Sequence, residues 1–317
     1  MATITENIQT LRSIKSDIKN AIIQKGGSVT DAFGTYAQAI TNLPSGGGGG
    51  TEIEDGLVMR TISEYSNDRV SVVGMGAFTY CSALTTVNLP NCTYIDSFAF
   101  QSCSKLTYVN LPNCTKIGRG AIQYCYSLKS IDLPLCSYID DYVFYYCTKL
   151  ISVNLQNCKI INSNAFGSCS SLNYISLPNC SYIGNYGFRH CESLISIDLP
   201  LCTSISDEAF ATCIRLQFID LPKCSSVGYA TFINCETLLS INLPLCTKMN
   251  GYTFRNCSNL TQVYLNSVSS VTTIFSNTFY NCSNLTSVYV PASLVDAFKT
   301  AQYWSSMSTK IVAYTGA

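Results

Sequence analysis

Between residues 78 and 290 the apolar positions keep one rhythm. Read from its first aromatic, the unit is A-F-x-x-C-x-x-L-x-x-[VI]-[ND]-L-P-x-C-x-x-I-x-x-x, 22 residues long. The aromatic position runs Phe78, Phe100, Ile122, Phe144, Phe166, Phe188, Phe210, Phe232, Phe254 and Phe279, and the first Leu position runs from Leu84 to Leu285. One such unit cannot bury its apolar side alone, so ten copies predict a solenoid whose core is continuous from coil to coil. Within the unit, L-x-x-[VI]-x-L alternates: Val109 and Leu111 point inward, Tyr108 and Asn110 outward, the pattern of a half-buried strand. The Pro after the last Leu ends that strand. Strands stacked in parallel at about 4.8 Å per coil give a rod roughly 50 Å long. The second half of each unit is expected to be a short turn of α- or 3₁₀-helix that seats Phe and Ile in the core, which makes the fold class an α/β solenoid.

An open solenoid exposes its core at both ends and needs caps. After residue 290 the repeat stops at "PASLVDAFKTAQYWSSMSTKIVAY". Pro291 and Ser293 are expected to start a helix whose Leu294, Val295, Phe298 and Ala301 cover the last coil, with Trp304 and Ile311 adding apolar cover. Residues 53–76 read as a degenerate first coil. Ahead of them, Ile4, Ile8, Leu11, Ile18 and Ile22 form a near-heptad stripe on a predicted helix that Gly26-Gly27 would stop, and a shorter helix spans about 30–41. The pentaglycine run ending at Gly50 reads as a flexible linker. The predicted organisation is therefore a helical module at 1–44, a linker at 45–52, the solenoid at 53–290 and a cap at 291–317. The module either packs on the solenoid as an N-terminal cap or serves oligomerisation and docking. A five-glycine linker favours the second, and the heptad spacing favours a trimer, with two or four strands also open.

Eighteen cysteines sharpen this picture. They recur every 11 residues from Cys81 to Cys257, alternating between F-x-x-C and L-P-x-C contexts, and only Cys282 falls outside that step. Positions eleven apart lie on opposite sides of a 22-residue coil, so the chain carries two thiol columns. Cys103, Cys114, Cys125 and Cys136 are typical members, expected to be buried free thiols acting as small hydrophobes. Val70 and Val268 stand where the L-P-x-C column would continue, a replacement that packing permits and ligation does not. Parallel Cβ vectors within a column are wrong for disulfides, the short C-x-x-C spacing of zinc sites is missing, and His190 is the only histidine that could serve a nucleophilic thiol. No metal, cofactor or catalytic residue is expected, and the chain is read as a non-enzyme. Charged residues make up 12% of the chain and the formal net charge is zero, so no basic field attracts nucleic acid. No apolar run reaches the roughly 20 residues of a membrane span, and the N-terminal residues contain no apolar core of a signal peptide.

The outward strand positions form rows along the solenoid. One row includes Asn110, Asp132, Asp198, Asp220, Tyr264 and Tyr289; its neighbour includes Tyr108, Tyr174 and Phe218. Short acceptors beside scattered aromatics suit sugars or a protein edge, and these nine residues are the candidate ligand-binding set. The plainer reading is an Asn/Asp ladder that solvates the strand face. Asp198 and Asp220 lie one coil apart without an evident proton-transfer partner. A second row, Tyr94, Tyr138 and Tyr182, is an equally possible surface.

The unit "AFxxCxxLxxVxLP", with its leucine-rich-repeat strand signature, resembles the BspA-like leucine-rich repeats over about residues 53–317. That resemblance implies the solenoid fold and a place among surface or secreted proteins that bind host or microbial ligands. The stretch "IKSDIKNAIIQKGGSVTDAFGTYAQAI", residues 14–40, resembles a leader on tail- and fibre-type proteins of phages of gut bacteria. It implies a virion component, a tail or head fibre. Residues 1–44 would hold copies of the chain together and dock on other virion proteins, and the repeats would recognise a host-surface glycan or protein. The alternative implied by the repeats alone is a bacterial cell-surface adhesin, which needs export.

Overall fold

The computed structural model describes residues 62–315. The predicted 1–44 module, its stripe Ile4, Ile8, Leu11, Ile18 and Ile22, and the linker at 45–52 lie outside the described residues. Each coil begins with a short strand centred on the inward Val or Ile, as in Tyr108–Asn110. Eleven such strands stack in parallel from Glu64–Ser66 to Ser287–Pro291. The first belongs to the degenerate coil, whose Val70 is fully buried.

The second half of the coil differs from expectation. It contains a second strand of two residues, as in Lys116–Ile117, and nine of these build an unbroken parallel sheet from Val72–Val73 to Lys248–Met249. The Ile of C-x-x-I therefore sits on a strand, not on a helical turn. The Phe follows in a chain of tight turns, in which alternate amides close local bonds, as Gln101 N does to Phe98 O at 3.0 Å. The amides between them leave for the next coil: Phe98 N to Arg119 O, Phe100 N to Ala121 O and Ser102 N to Gln123 O, at 2.7–2.9 Å. A helix would need those amides for its own i−4 carbonyls. Two residues in each of nine coils take left-handed conformations, such as Phe98 (φ 61) and Ser102 (φ 59). That conformation disfavours L-residues by roughly 1–2 kcal/mol each, and the bonds to the next coil hold it in place.

The core is a set of columns. Rings Phe144 to Phe279 stack face to face at 5.0–5.5 Å, with Phe78 on Phe100 at 4.9 Å and Ile122 interrupting the series. Full burial is worth about 1.5–3 kcal/mol per large side chain, and aromatic contact adds about 0.5–1.5 kcal/mol per pair. All eighteen cysteines are buried thiols.

Tyr65 covers the first ring at 4.9 Å, and Trp304 covers Phe279 at 5.9 Å while its indole N–H donates to Thr272 O at 2.7 Å. The cap holds a 3₁₀ turn at Ala292–Leu294, helix α1 at Val295–Thr300 and a 3₁₀ segment at Ser305–Lys310. Pro291 closes the preceding strand instead of opening the helix, and no side chain caps α1. Phe298, Trp304 and Ile311 are buried, and Leu294, Val295 and Ala301 pack against the core at its edge. The cap is not purely helical: Ile311–Tyr314 returns as a strand pairing in parallel with Ser287–Pro291, one coil beyond the repeats.

Candidate binding face

The three-residue strands present their first and third residues to solvent and bury the second. Register places Ser196, Phe218 and Ser240 in one row, with Asp198, Asp220 and Asn242 beside it. Tyr108, Tyr174 and Phe218 are each about half exposed, at 53%, 50% and 53%. The predicted set thus shares one face, although it is spread along the rod and not gathered in one cleft. Tyr264 and Tyr289 stack at 4.8 Å near its C-terminal end, and Tyr314 from the returning strand meets both at 6.4 Å. Burial, with Tyr289 and Tyr314 beside it, raises the Tyr264 phenol above its ordinary value.

The polar row is a hydrogen-bonded ladder. Asn110 donates to Asn88 at 2.7 Å, Asn154 to Asp132 at 2.6 Å, Ser176 to Asp198 at 3.1 Å and Asn242 to Asp220 at 2.7 Å. Each of the three predicted aspartates therefore accepts a bond from a neighbouring coil while remaining exposed. The plainer reading of this row holds for its side-chain bonding, and the aromatic row beside it has no such ladder.

The long-strand face is interrupted once. Its strands form one sheet of five, ending at Ser152–Asn154, and one of seven, beginning at Tyr174–Ser176. A concavity of about 470 Å³ lies over the interruption, with Tyr108 and Tyr174 at its two ends and Ser130, Asp132, Ser152 and Asn154 between them. The Oδ1 of Asn154 is buried there without a hydrogen-bond partner.

Ile151, Ile195 and Leu239, all exposed, were outside the predicted set. They share parity with the core residues Val153, Ile197 and Ile241, so alternation assigns them inward. The strands begin only one residue later, and alternation has no force before a strand starts. Together with Tyr174 and Phe218 they make a zigzag, one large apolar side chain per coil over five coils.

The alternative row lies on the short strands and is committed to the scaffold. Tyr94 Oη donates to Asp96 at 2.8 Å under the Lys116 ammonium, Tyr138 bonds Asn162, and Ser206 donates to Tyr182 Oη at 2.9 Å. Burial and then the Asp96 contact push the Tyr94 phenol up to about 12. His190 occupies a left-handed turn position, φ 59, equivalent to Tyr146 and Ser168. Among the described residues, no group of three or more His, Cys, Asp or Glu converges as a metal site would, and no helix is long and apolar enough to cross a membrane.

The thiols lie where the spacing puts them, but they also donate. Cys103 Sγ–H reaches Phe78 O at 3.0 Å and Cys125 reaches Phe100 O at 3.2 Å, each one coil back. Cys114 and Cys136 instead bond the carbonyl two residues on, both at 3.3 Å. Burial raises the Cys125 and Cys136 thiols and takes Cys114 to about 12, while Cys103 is raised first by its bond with Cys81 and then by burial.

The model of the BspA type leucine rich repeat region matches residues 71–195 and 181–309. No curated protein matches the sequence significantly. Among solved structures, the chain is similar to a leucine rich cell surface protein from Faecalibacterium prausnitzii A2-165, with 22% identity over 82% of this chain and 86% of that one and a TM-score of 0.40. It is also similar to a leucine-rich repeat protein from Bacteroides ovatus ATCC 8483, at 22% identity over 78% and 88% with a TM-score of 0.34. The pneumococcal vaccine antigen PcpA matches at 17% identity over 80% of this chain and 68% of that chain, with a TM-score of 0.52. These likenesses concern the fold.

Proposed function

Because the chain belongs to the BspA-type leucine-rich repeat family, we propose that it is a non-enzymatic binding protein whose long-strand face recognises a glycan or protein on a host surface. The observation that carries this reading is the exposed series Ile151, Tyr174, Ile195, Phe218 and Leu239, on or immediately before the long strands, where a purely structural rod would be polar. Tyr and Phe bring large contact area at low entropic cost, and the Asp198 and Asp220 carboxylates beside them accept hydroxyl or amide donors. The test measures labelled full-length chain on a panel of intact gut bacteria and epithelial cells. The double change Tyr174→Ala and Phe218→Ala should reduce binding about tenfold or more, as loss of central aromatic anchors does, with the melting transition retained. Undiminished binding would remove the long-strand face from consideration.

The finer proposal is a phage tail or head fibre, held as a homotrimer and joined to other virion proteins through residues 1–44. Its support is the leader-like stretch at residues 14–40 and the stripe Ile4, Ile8, Leu11, Ile18 and Ile22. Family membership favours the second reading, a bacterial surface adhesin. Density-purified particles should contain the chain on the first reading. Intact producing cells should display it on the second. Native mass of the full chain should equal three copies, and a monomer would overturn the trimer.

A further inference from the structure

The tyrosines are unevenly placed. Tyr124, Tyr126, Tyr142, Tyr145 and Tyr146 fall in two successive coils on the turn edge, away from the long-strand rows, with ring centroids 4.7–6.1 Å apart. Tyr145, Gly167 and Arg189 are equivalent positions in consecutive coils, as are Tyr146, Ser168 and His190. Gly167 puts no side chain in the middle of the first column, and the Tyr145 ring lies against it. A Cβ there would stand 2.9 Å from the Tyr145 ring. The result is a slot of about 250 Å³, with Tyr145 and Tyr146 as one wall, Arg189 and His190 as the other, and Asn164, Gly167 and Ser168 between them.

Its chemistry is specific. The volume lies below the ~300–1,000 Å³ of clefts for drug-sized ligands and suits a single ring. One wall is aromatic with phenolic tips, the surface on which the C–H face of a sugar packs. The other carries a neutralised cation: Arg189 Nη1 lies 3.3 Å from Glu208 Oε2, and its guanidinium rests 5.3 Å over Tyr186. Glu208 makes an anionic ligand a poor match. Ser168, Asn164 and His190 both donate and accept, which matches hydroxyl groups. An extended peptide has no backbone to pair with, because the amides of Tyr146, Ser168 and His190 already donate to Gly167, Arg189 and Ala211 of the next coil at 2.7–2.9 Å. Those bonds also fix the left-handed turns that carry the slot residues, so the walls are preorganised.

We propose that this slot is a second binding site, separate from the long-strand face, that takes one neutral pyranose unit of a glycan, stacked on the Tyr145–Tyr146 wall and hydrogen-bonded by Asn164, Ser168 and His190. The test is saturation-transfer NMR on the full chain, with methyl β-D-glucopyranoside, methyl β-D-galactopyranoside and N-acetyl-D-glucosamine as probes and sorbitol as the acyclic control. At least one pyranose should receive saturation on its ring protons, and sorbitol none. Tyr146→Ala should weaken the signal about five-fold or more, Gly167→Ala should weaken it without removing aromatic surface, and Phe218→Ala should leave it unchanged. A retained melting transition identifies folded variants, and His190→Ala carries the test if Tyr146→Ala does not fold. The proposal is overturned if no pyranose is saturated, if sorbitol matches the sugars, or if the folded slot variants bind like the parent. Loss in Phe218→Ala alone also overturns it, while leaving the long-strand reading intact.

Discussion

The two thiol columns hold the same residue at the same spacing and do different work. In the F-x-x-C column, from Cys103 to Cys282, each thiol donates to a carbonyl of the preceding coil, as Cys147 does to Ile122 O at 3.2 Å and Cys169 to Phe144 O at 3.1 Å. In the L-P-x-C column, each bonds within its own coil, as Cys180 does to Tyr182 O at 3.3 Å. The thiol proton thus goes to the neighbouring coil in the first column and into the local turn in the second, although a second-column thiol still meets the preceding coil's backbone, as Cys136 does at Ile117. The chain's own variation agrees: Val70 and Val268 replace the thiol in the L-P-x-C column, whereas the F-x-x-C column is cysteine in all ten coils from Cys81 to Cys282. A regular spacing therefore reports a regular environment, not a single role.

The largest test of both columns is alkaline pH. Burial raises the folded thiols, Cys224 to about 11 and Cys147 to about 12, whereas unfolded thiols ionise near pH 8.5. A raised folded-state value means that stability is whole below the unfolded value and falls as pH climbs towards 11–12. Each thiol contributes a slope of up to about 1.4 kcal/mol per pH unit in that window. With eighteen thiols, circular dichroism should show cooperative unfolding one to two pH units above about 8.5, with thiolate absorbance rising in the same step. A rod that keeps its strand signal at pH 12 would refute burial of both columns.

Substitution separates the columns on a smaller scale. Cys147→Val loses an inter-coil donor and should cost about 1–2 kcal/mol in urea melts. The thiol is a weak donor, so larger losses are not expected. Cys136→Val should cost about 1 kcal/mol or less, and Cys136→Ala about 1–2 kcal/mol because it leaves a void. Equal costs for the two Val variants would erase the distinction. The smallest effect is on reactivity. A thiol reagent should label few sites in the native chain and nearly all eighteen in denaturant without reductant. A shortfall in denaturant would mean disulfides.

Much of the scaffold is legible in the repeat. The columns of Phe, Leu, Ile and Cys, the parallel strand at Tyr108–Asn110 and its equivalents, and the covering role of Phe298 and Trp304 follow from spacing and apolar pattern. The second sheet is not, because a two-residue strand such as Lys116–Ile117 leaves no alternation to detect. The left-handed turns are equally silent: Tyr146, Ser168, His190 and Ala230 adopt them without glycine as a signal. The aromatic and acidic rows could be read from the unit, but the exposed Ile151, Ile195 and Leu239 could not, since their parity points inward. Tyr314 escaped because the cap breaks the period that aligns the rows. The Tyr145–Arg189 slot depends on one missing side chain, Gly167, in one coil of the series.

By itself the sequence determined that this chain is a solenoid, where its core runs and which side chains repeat outward, because a period of 22 residues forces every coil into the same burial pattern. The tertiary structure alone decided where that regularity fails: the interruption between Asn154 and Tyr174, the close approach of the Tyr145 ring to Gly167 and the partner of each thiol. Spacing along a chain fixes position within a coil, but contact between coils depends on the volumes of side chains 22 residues apart, and those meet only when the coils are stacked.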